Sequence, residues 1–260
     1  MRWAISVPPF TGTTSLVSLA VEADQAGWDG VFFWDHLVWS RPLGLDIHDP
    51  WVLSGAVAAR TDRVRLGTMV TPLARRRPWV LAKQLTTLDH LSGGRAVLGV
   101  GLGEPSDADF AAFGDPADTR ERAALLDEGL QLLDGLLRGP VDHHGERFRV
   151  ETELRPSPVQ RPRPPVWVAA VAPHRRPLAR AARWDGVVPL GPNGVLLPEE
   201  LSGYVGAVPR RPGWEVVAAR AAGVSADEYA DAGATWLVEG TWPDDGWVDE
   251  MRTRVRQGPG

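Results

Sequence analysis

Eight short, mostly apolar runs alternate with helix-like segments along the 260 residues, and this alternation constrains the fold more than any other feature of the chain. A strand that is apolar throughout must be buried on both faces, which is the situation of a parallel sheet covered by helices. The runs fall at residues 2–7, 31–34, 64–70, 96–100, 166–171, 186–190, 215–219 and 235–238. The first is stopped by Pro8-Pro9. Helical periodicity and its punctuation fill the gaps. A helix is expected over 14–26 with Thr13 or Thr14 as N-cap and Gly27 as its stop, and another runs from Asp49-Pro50 through Ala59. Residues 78–91 end at Ser92-Gly93-Gly94, and 119–137 carry Leu125, Leu126, Leu130, Leu133 and Leu137 on one face. Further helices are expected over 173–183, 198–207, 225–232 and 245–256, with loops at 191–198 and 210–213.

Eight βα units in order predict an α/β chain folded as a (β/α)8 TIM barrel, a single domain over residues 1–260, close to the roughly 250 residues such a barrel needs. One stretch breaks the rhythm. Residues 139–165 contain a polar hairpin-like piece and a Pro-rich return, read as a short insertion between helix 4 and strand 5. A doubly wound open sheet is the competing architecture. It calls for a glycine-rich phosphate turn after the first strand, where this chain has Pro8-Pro9-Phe10-Thr11-Gly12.

A net charge of -5, with Lys and Arg dispersed, gives no reason to expect nucleic acid or an anionic membrane as partner. The absence of Cys excludes disulfides, thiolate metal sites and a cysteine nucleophile. No segment approaches the roughly 20 apolar residues of a membrane span. The N-terminus enters a strand at once without the pattern of a secretory signal, so a cytoplasmic location is expected.

In a barrel of this kind the active site gathers at the C-terminal ends of the strands. Strand two ends in Trp34-Asp35-His36, with Trp39 nearby. An imidazole there exchanges protons near neutral pH, against the plainer reading of a loop histidine making a local hydrogen bond. Strand three ends in Thr68-Met69-Val70-Thr71-Pro72, and strand four in a Gly99, Gly101, Gly103 run closed by Glu104. Glycines there let backbone approach a ligand closely or merely suit a tight βα turn; Glu104 is equally readable as an acid or base and as a solvated carboxylate. Strand five ends in Ala169-Ala170, followed by Arg175-Arg176, whose guanidiniums suit a phosphate or simply face solvent. Arg75-Arg76-Arg77 reads still more strongly as a solvated face, and His143-His144 as surface. Trp39, Trp51 and Trp79 either wall a pocket for a planar ring or pack the barrel.

These residues, taken in order, resemble the luciferase-like monooxygenase family, the bacterial luciferase-like flavin and F420-dependent oxidoreductases. The likeness is carried by Trp34-Asp35-His36, by residues 65–72 (RLGTMVTP), by 88–95 (LDHLSGGR) running into 98–103 (LGVGLG), by 165–170 (PVWVAA), by 181–187 (AARWDGV) and by 233–236 (GATW). The resemblance implies a barrel that binds coenzyme F420, or alternatively FMN, over the strand ends. It implies Asp35 and His36 at the ring, with His36 on the reacting face, and Glu104 as an assisting acid. A bulge with a non-proline cis peptide is implied at Met69-Val70, between Thr68 and Thr71. Gly101, Gly103, Ala169 and Ala170 are implied as cofactor contacts, the last two near the phosphate tail with Arg175 and Arg176 as helpers. The implied partners are a small-molecule substrate, a flavin or F420 reductase as electron source, and a second copy in a homodimer.

The chain departs from the pattern in being short, in trimmed loops after strands six and seven, and in Trp34 where Ser is commoner. The expectation is an oxidoreductase moving hydride between F420 and a C=C, C=N, alcohol or carbonyl group. An FMN-dependent monooxygenase using O2 is the alternative. A metal-dependent barrel hydrolase ranks below both, because His36 and scattered acids offer no ligand set of several strand-end His and carboxylates. A flavin-binding protein without catalysis ranks below because Asp35-His36 is intact.

Overall fold

The structure, a computed structural model, describes residues 1–191 and 193–260; Pro192, in the expected 191–198 loop, lies outside the described residues. In chain order the strands are β1 (Arg2–Val7), β2 (Gly30–Phe33), β3 (Arg65–Pro72), β4 (Ala96–Gly101), β5 (Val141–His144), β6 (Arg149–Thr152), β7 (Val166–Val171), β8 (Gly186–Leu190), β9 (Glu215–Ala219) and β10 (Trp236–Gly240). The helices are α1 (Thr13–Gln25), α2 (Pro50–Ala58), α3 (Pro78–Leu91), α4 (Thr119–Arg138), α5 (Arg175–Ala181), α6 (Pro198–Val205), α7 (Ala226–Asp231) and α8 (Trp247–Gln257). Eight strands close a parallel barrel in the order β1-β10-β9-β8-β7-β4-β3-β2, as the alternation predicts. β5 and β6 form a separate antiparallel hairpin inside the expected insertion.

The apolar strands are sorted by the two-residue period of an extended chain. Ala4, Phe32, Val97, Trp167, Val188, Val217, Trp236 and Val238 point inward and fill the barrel. Their neighbours Ile5, Val31, Phe33, Leu66, Leu98 and Val168 point outward and pack under the helices. Phe32, Trp167 and Trp236 meet within the barrel at centroid separations of 5.4, 5.3 and 6.3 Å. The barrel is therefore plugged toward the N-terminal ends of its strands, and open space is left at their C-terminal ends.

The element boundaries follow local chemistry. Asp49 caps α2 as expected, accepting from the backbone N–H groups of Trp51 and Val52 at 2.9 and 2.8 Å. α1 departs from expectation: Gly12 occupies the N-cap position without a side-chain cap, and Thr13 and Thr14 are already in the first turn. α5 starts two residues later than expected because His174 N–H bonds Val171 O and folds Ala172 and Pro173 into a turn. The insertion is tied down by carboxylates on the neighbouring helices. Glu128 on α4 accepts from the backbone N–H groups of Arg147 and Phe148 and lies 3.2 Å from His143 Nε2. His143 is thus half-buried, a correction to the surface reading, whereas His144 is exposed. Asp89 on α3 holds the Pro-rich return through Gln160 N and Nε2.

Candidate active site

The chain leaves β2 with Trp34 N–H bonded to Val7 O and the Trp34 indole N–H bonded to Ser6 Oγ at 2.8 Å. That fixes the direction of the next two side chains. His36 Nδ1 lies 2.9 Å from Oδ2 of Asp109, a fully buried residue in the loop after β4. Oδ1 of the same carboxylate accepts from the backbone N–H groups of Leu37 and Val38 at 2.8 and 2.7 Å. Asp35 turns the other way. Its carboxylate accepts from Arg75, from Arg76 and from the Thr71 hydroxyl. Arg75 also reaches Asp109 Oδ2 at 2.7 Å, joining the two acids.

Two guanidiniums thus face two carboxylates in a nearly dry cluster. Arg75 has only 2% of its side chain exposed, and such burial of charge is tolerable because each ion is paired and hydrogen-bonded. The solvated-face reading of 75–77 is therefore wrong for Arg75 and Arg76. A single turn at Leu73–Arg75 after β3 folds Arg75 back under the mouth, and no periodicity in the sequence signals that turn. Burial alone would raise the Asp109 carboxyl. The hydrogen bonds from His36 and Val38, with the charge of Arg75, outweigh it and hold the group below the usual carboxylate range.

Above this cluster lies a cavity of about 340 Å³ bordered by His36, Trp39, Gly101, Gly103, Glu104 and Ala169. A second lobe of about 250 Å³ adjoins it on the β8–β10 side and includes Val217, Arg220, Val238 and Trp242. Trp34, Met69, Val70 and Leu190 border both. The Met69-Val70 peptide is cis, as expected, and the β3–β4 register shifts between Thr68 and Thr71. The glycines of β4 make room for this bulge. A Cβ on Gly99 would sit 2.3 Å from Thr68 O, and one on Gly101 would sit 2.8 Å from Val70 Cγ2. The aromatic walls interlock: Trp39 lies 4.8 Å from the His36 ring, 5.5 Å from Trp34 and 6.0 Å from Trp242.

The expected residues do not all reach this cavity. His36, Asp35, Met69, Val70, Gly101, Gly103, Glu104 and Ala169 border it. Thr68, Thr71 and Ala170 are fully buried behind its wall; Thr71 supports Asp35 and takes the Trp51 indole N–H at 3.3 Å. Glu104 is 71% exposed, and Arg122 anchors it from α4 at 3.1 Å. Arg175 and Arg176 are exposed at the start of α5 and do not border the cavity; Arg180 does, but Asp127 holds it through two bonds of 2.7 and 2.8 Å. Trp79 packs on Phe148 of the insertion instead. The residues missed from sequence are Asp109, Arg75, Arg76 and Trp242. Asp109 stands 73 positions from His36 in a loop with several acids, so no spacing could single it out. Among the described residues no three His, Asp or Glu side chains converge to ligate a metal.

The sequence model of the luciferase-like monooxygenase family matches residues 5–194. The chain belongs to that family. It is 39% identical over 176 residues to an F420-dependent glucose-6-phosphate dehydrogenase of Nakamurella multipartita, covering 65% of this chain and 50% of that protein. A 4-hydroxyprotoasukamycin monooxygenase of Streptomyces nodosus subsp. asukaensis is 39% identical over 146 residues, 54% of this chain and 38% of its own length. The chain spans about half the length of the curated relatives it matches. Among solved structures, the coenzyme F420 dependent tetrahydromethanopterin reductase from Methanopyrus kandleri superposes with a TM-score of 0.78 at 17% identity, covering 99% of this chain and 98% of that one. At that identity the likeness shows the shared fold.

Proposed function

We propose that this protein is an oxidoreductase that uses coenzyme F420 to exchange hydride with a small organic substrate. The observation that carries the reading is a histidine placed on the rim of an apolar, aromatic-walled cavity, with one ring nitrogen held by a buried carboxylate. Residue chemistry fits a tricyclic ring. Two adjoining lobes of about 340 and 250 Å³ share the Met69-Val70 floor, and Gly101 and Gly103 let backbone approach a flat face. Trp34, Trp39 and Trp242 supply apolar surface and exclude water.

In this reading Met69, Val70, Gly101, Gly103 and Ala169 hold the ring. A bound deazaflavin or flavin supplies the hydride chemistry. His36 accepts or returns a proton at Nε2, and Glu104, on the same rim but open to water, exchanges protons with solvent. Asp35 makes no free contact of its own. Its oxygens are taken by Arg75, Arg76 and Thr71, so it fixes the backbone from which His36 projects. Arg175 and Arg176 offer exposed guanidiniums beside the β7 end for an anionic tail. Reducing equivalents come from a separate flavin or F420 reductase, and the enzyme works in the cytoplasm. No helix among the described residues is long and apolar enough to cross a membrane.

An FMN-dependent monooxygenase is the second reading, favoured by the 39% identity to 4-hydroxyprotoasukamycin monooxygenase. Separate titrations with F420 and FMN, read by visible absorbance, decide between them. Binding of F420 supports the first reading. Binding of FMN alone moves the assignment to the second, and binding of neither contradicts both.

A further inference from the structure

We propose that Asp109 is a positioning residue of this site: it holds His36 in the tautomer protonated on Nδ1, so that Nε2 is left as the proton-accepting atom on the cavity side. The use made of that proton rests on the oxidoreductase reading above; the placement of the proton does not.

An ionised carboxylate can only accept hydrogen bonds, so the His36 nitrogen at 2.9 Å must donate. Asp109 is kept ionised by its surroundings. It receives the N–H groups of Leu37 and Val38 on Oδ1, and Arg75 shares Oδ2 with His36. A neutral imidazole carries one ring proton, and with that proton on Nδ1 the Nε2 lone pair is free. The ring is also held mechanically, between the Asp109 bond on one edge and Trp39 and Phe10 at 4.8 and 6.4 Å. When Nε2 takes a proton, the resulting imidazolium keeps its Nδ1–H bond to Asp109. The same proton leaves from Nε2, so nothing accumulates in the cycle.

Arg75 has a distinct part. Its donor on Asp109 Oδ2 spreads the carboxylate charge over two partners, and its other nitrogen is fixed on Asp35. Asp109 therefore orients the imidazole without competing for its proton. The arrangement is the general one in which a buried acid sets the tautomer and orientation of a catalytic histidine.

The substitution Asp109→Asn shows why the charge matters. The Leu37 and Val38 N–H groups are fixed backbone donors, so the carbonyl oxygen of the new amide faces them; the amide NH2 then lies against His36 Nδ1 and the Arg75 guanidinium, and the Arg75 side chain turns its nitrogen away while keeping its bonds to Asp35. A donor facing Nδ1 makes that nitrogen an acceptor and drives the ring proton to Nε2. Long-range 1H–15N NMR of the uniformly labelled protein without cofactor reads this directly. His36→Gln identifies the relevant signals among the six histidines. We expect wild-type His36, where neutral, to carry its proton on Nδ1, D109N to carry it on Nε2, and D109E to restore the wild-type pattern. With F420 bound, D109N should lose about 10²-fold or more in turnover, within the range of general acid–base catalysis, while F420 affinity changes little. A wild-type ring protonated on Nε2 overturns the proposal, and so does a D109N ring with an unchanged tautomer. The wild-type measurement needs a folded variant only for assignment, the near-isosteric H36Q, and it stands whether or not F420 binds.

Discussion

At the residue scale, the candidate site is built from side chains whose partners are remote in sequence. His36 was legible because it ends a strand in a barrel, and strand ends are where such sites form. Asp109 and Arg75 were not. Their importance comes from a loop and a single turn that bring them to within hydrogen-bond distance of His36 and Asp35, and neither element has a periodicity to read. Arg75 also carries a stability prediction. Arg75→Met would leave Asp35 with Arg76 and Thr71, but Asp109 would lose its only guanidinium among the described residues while remaining fully buried. Breaking a buried ion pair from one side costs roughly 3–5 kcal/mol. Urea denaturation of R75M should show a loss of that order. A loss below about 1 kcal/mol would mean that solvent reaches the cluster and the charges are not dependent on one another.

At the scale of elements, the strand and helix order was readable because buried parallel strands and amphipathic helices leave different periods. α2 begins at its Asp49 cap, α3 ends at Ser92 and α4 begins at Thr119, where the punctuation of the sequence places them. Departures came where backbone hydrogen bonds outside regular structure decide the boundary, as in the Ala172-Pro173 turn before α5. β3 ran two residues past its expected end, to Pro72, because the bulge after Thr68 lets pairing with β4 resume at Thr71. That bulge depends on Gly99 and Gly101 across the pair, where side chains would collide with Thr68 O and Val70. The glycine run thus has a double use: it accommodates β3 and it opens the cavity.

At the scale of the whole molecule, the barrel seals its lower half with Phe32, Trp167 and Trp236 and leaves its upper half to the cavity. The outer shell is secured by carboxylates under guanidiniums and backbone N–H groups. Burial would raise the carboxyls of Asp24, Asp109, Asp127 and Asp134, yet hydrogen bonds and nearby arginines hold all four below their ordinary value of 3.8. A carboxyl whose folded pKa is depressed contributes stability above its unfolded pKa and loses it as pH falls through the lower folded value. The melting temperature should therefore vary little on this account from pH 7 to about 5 and fall steeply below about pH 4. A flat profile down to about pH 3 would show that these four groups are not stabilising the fold.

The cavity above Met69-Val70 is where the cofactor ring is placed in this account. Ala169 borders it from β7 with its side chain partly accessible, so a larger residue there fills the lobe without displacing backbone. Equilibrium titration of F420 into wild type and into Ala169→Phe, read by tryptophan fluorescence, tests that placement most directly. Binding to wild type should saturate, and A169F should bind F420 with an affinity lower by about 100-fold or more at unchanged melting temperature, the ~2.7 kcal/mol expected when a ring is shut out of its pocket. Equal affinity in the two proteins would place the cofactor elsewhere than over Met69-Val70.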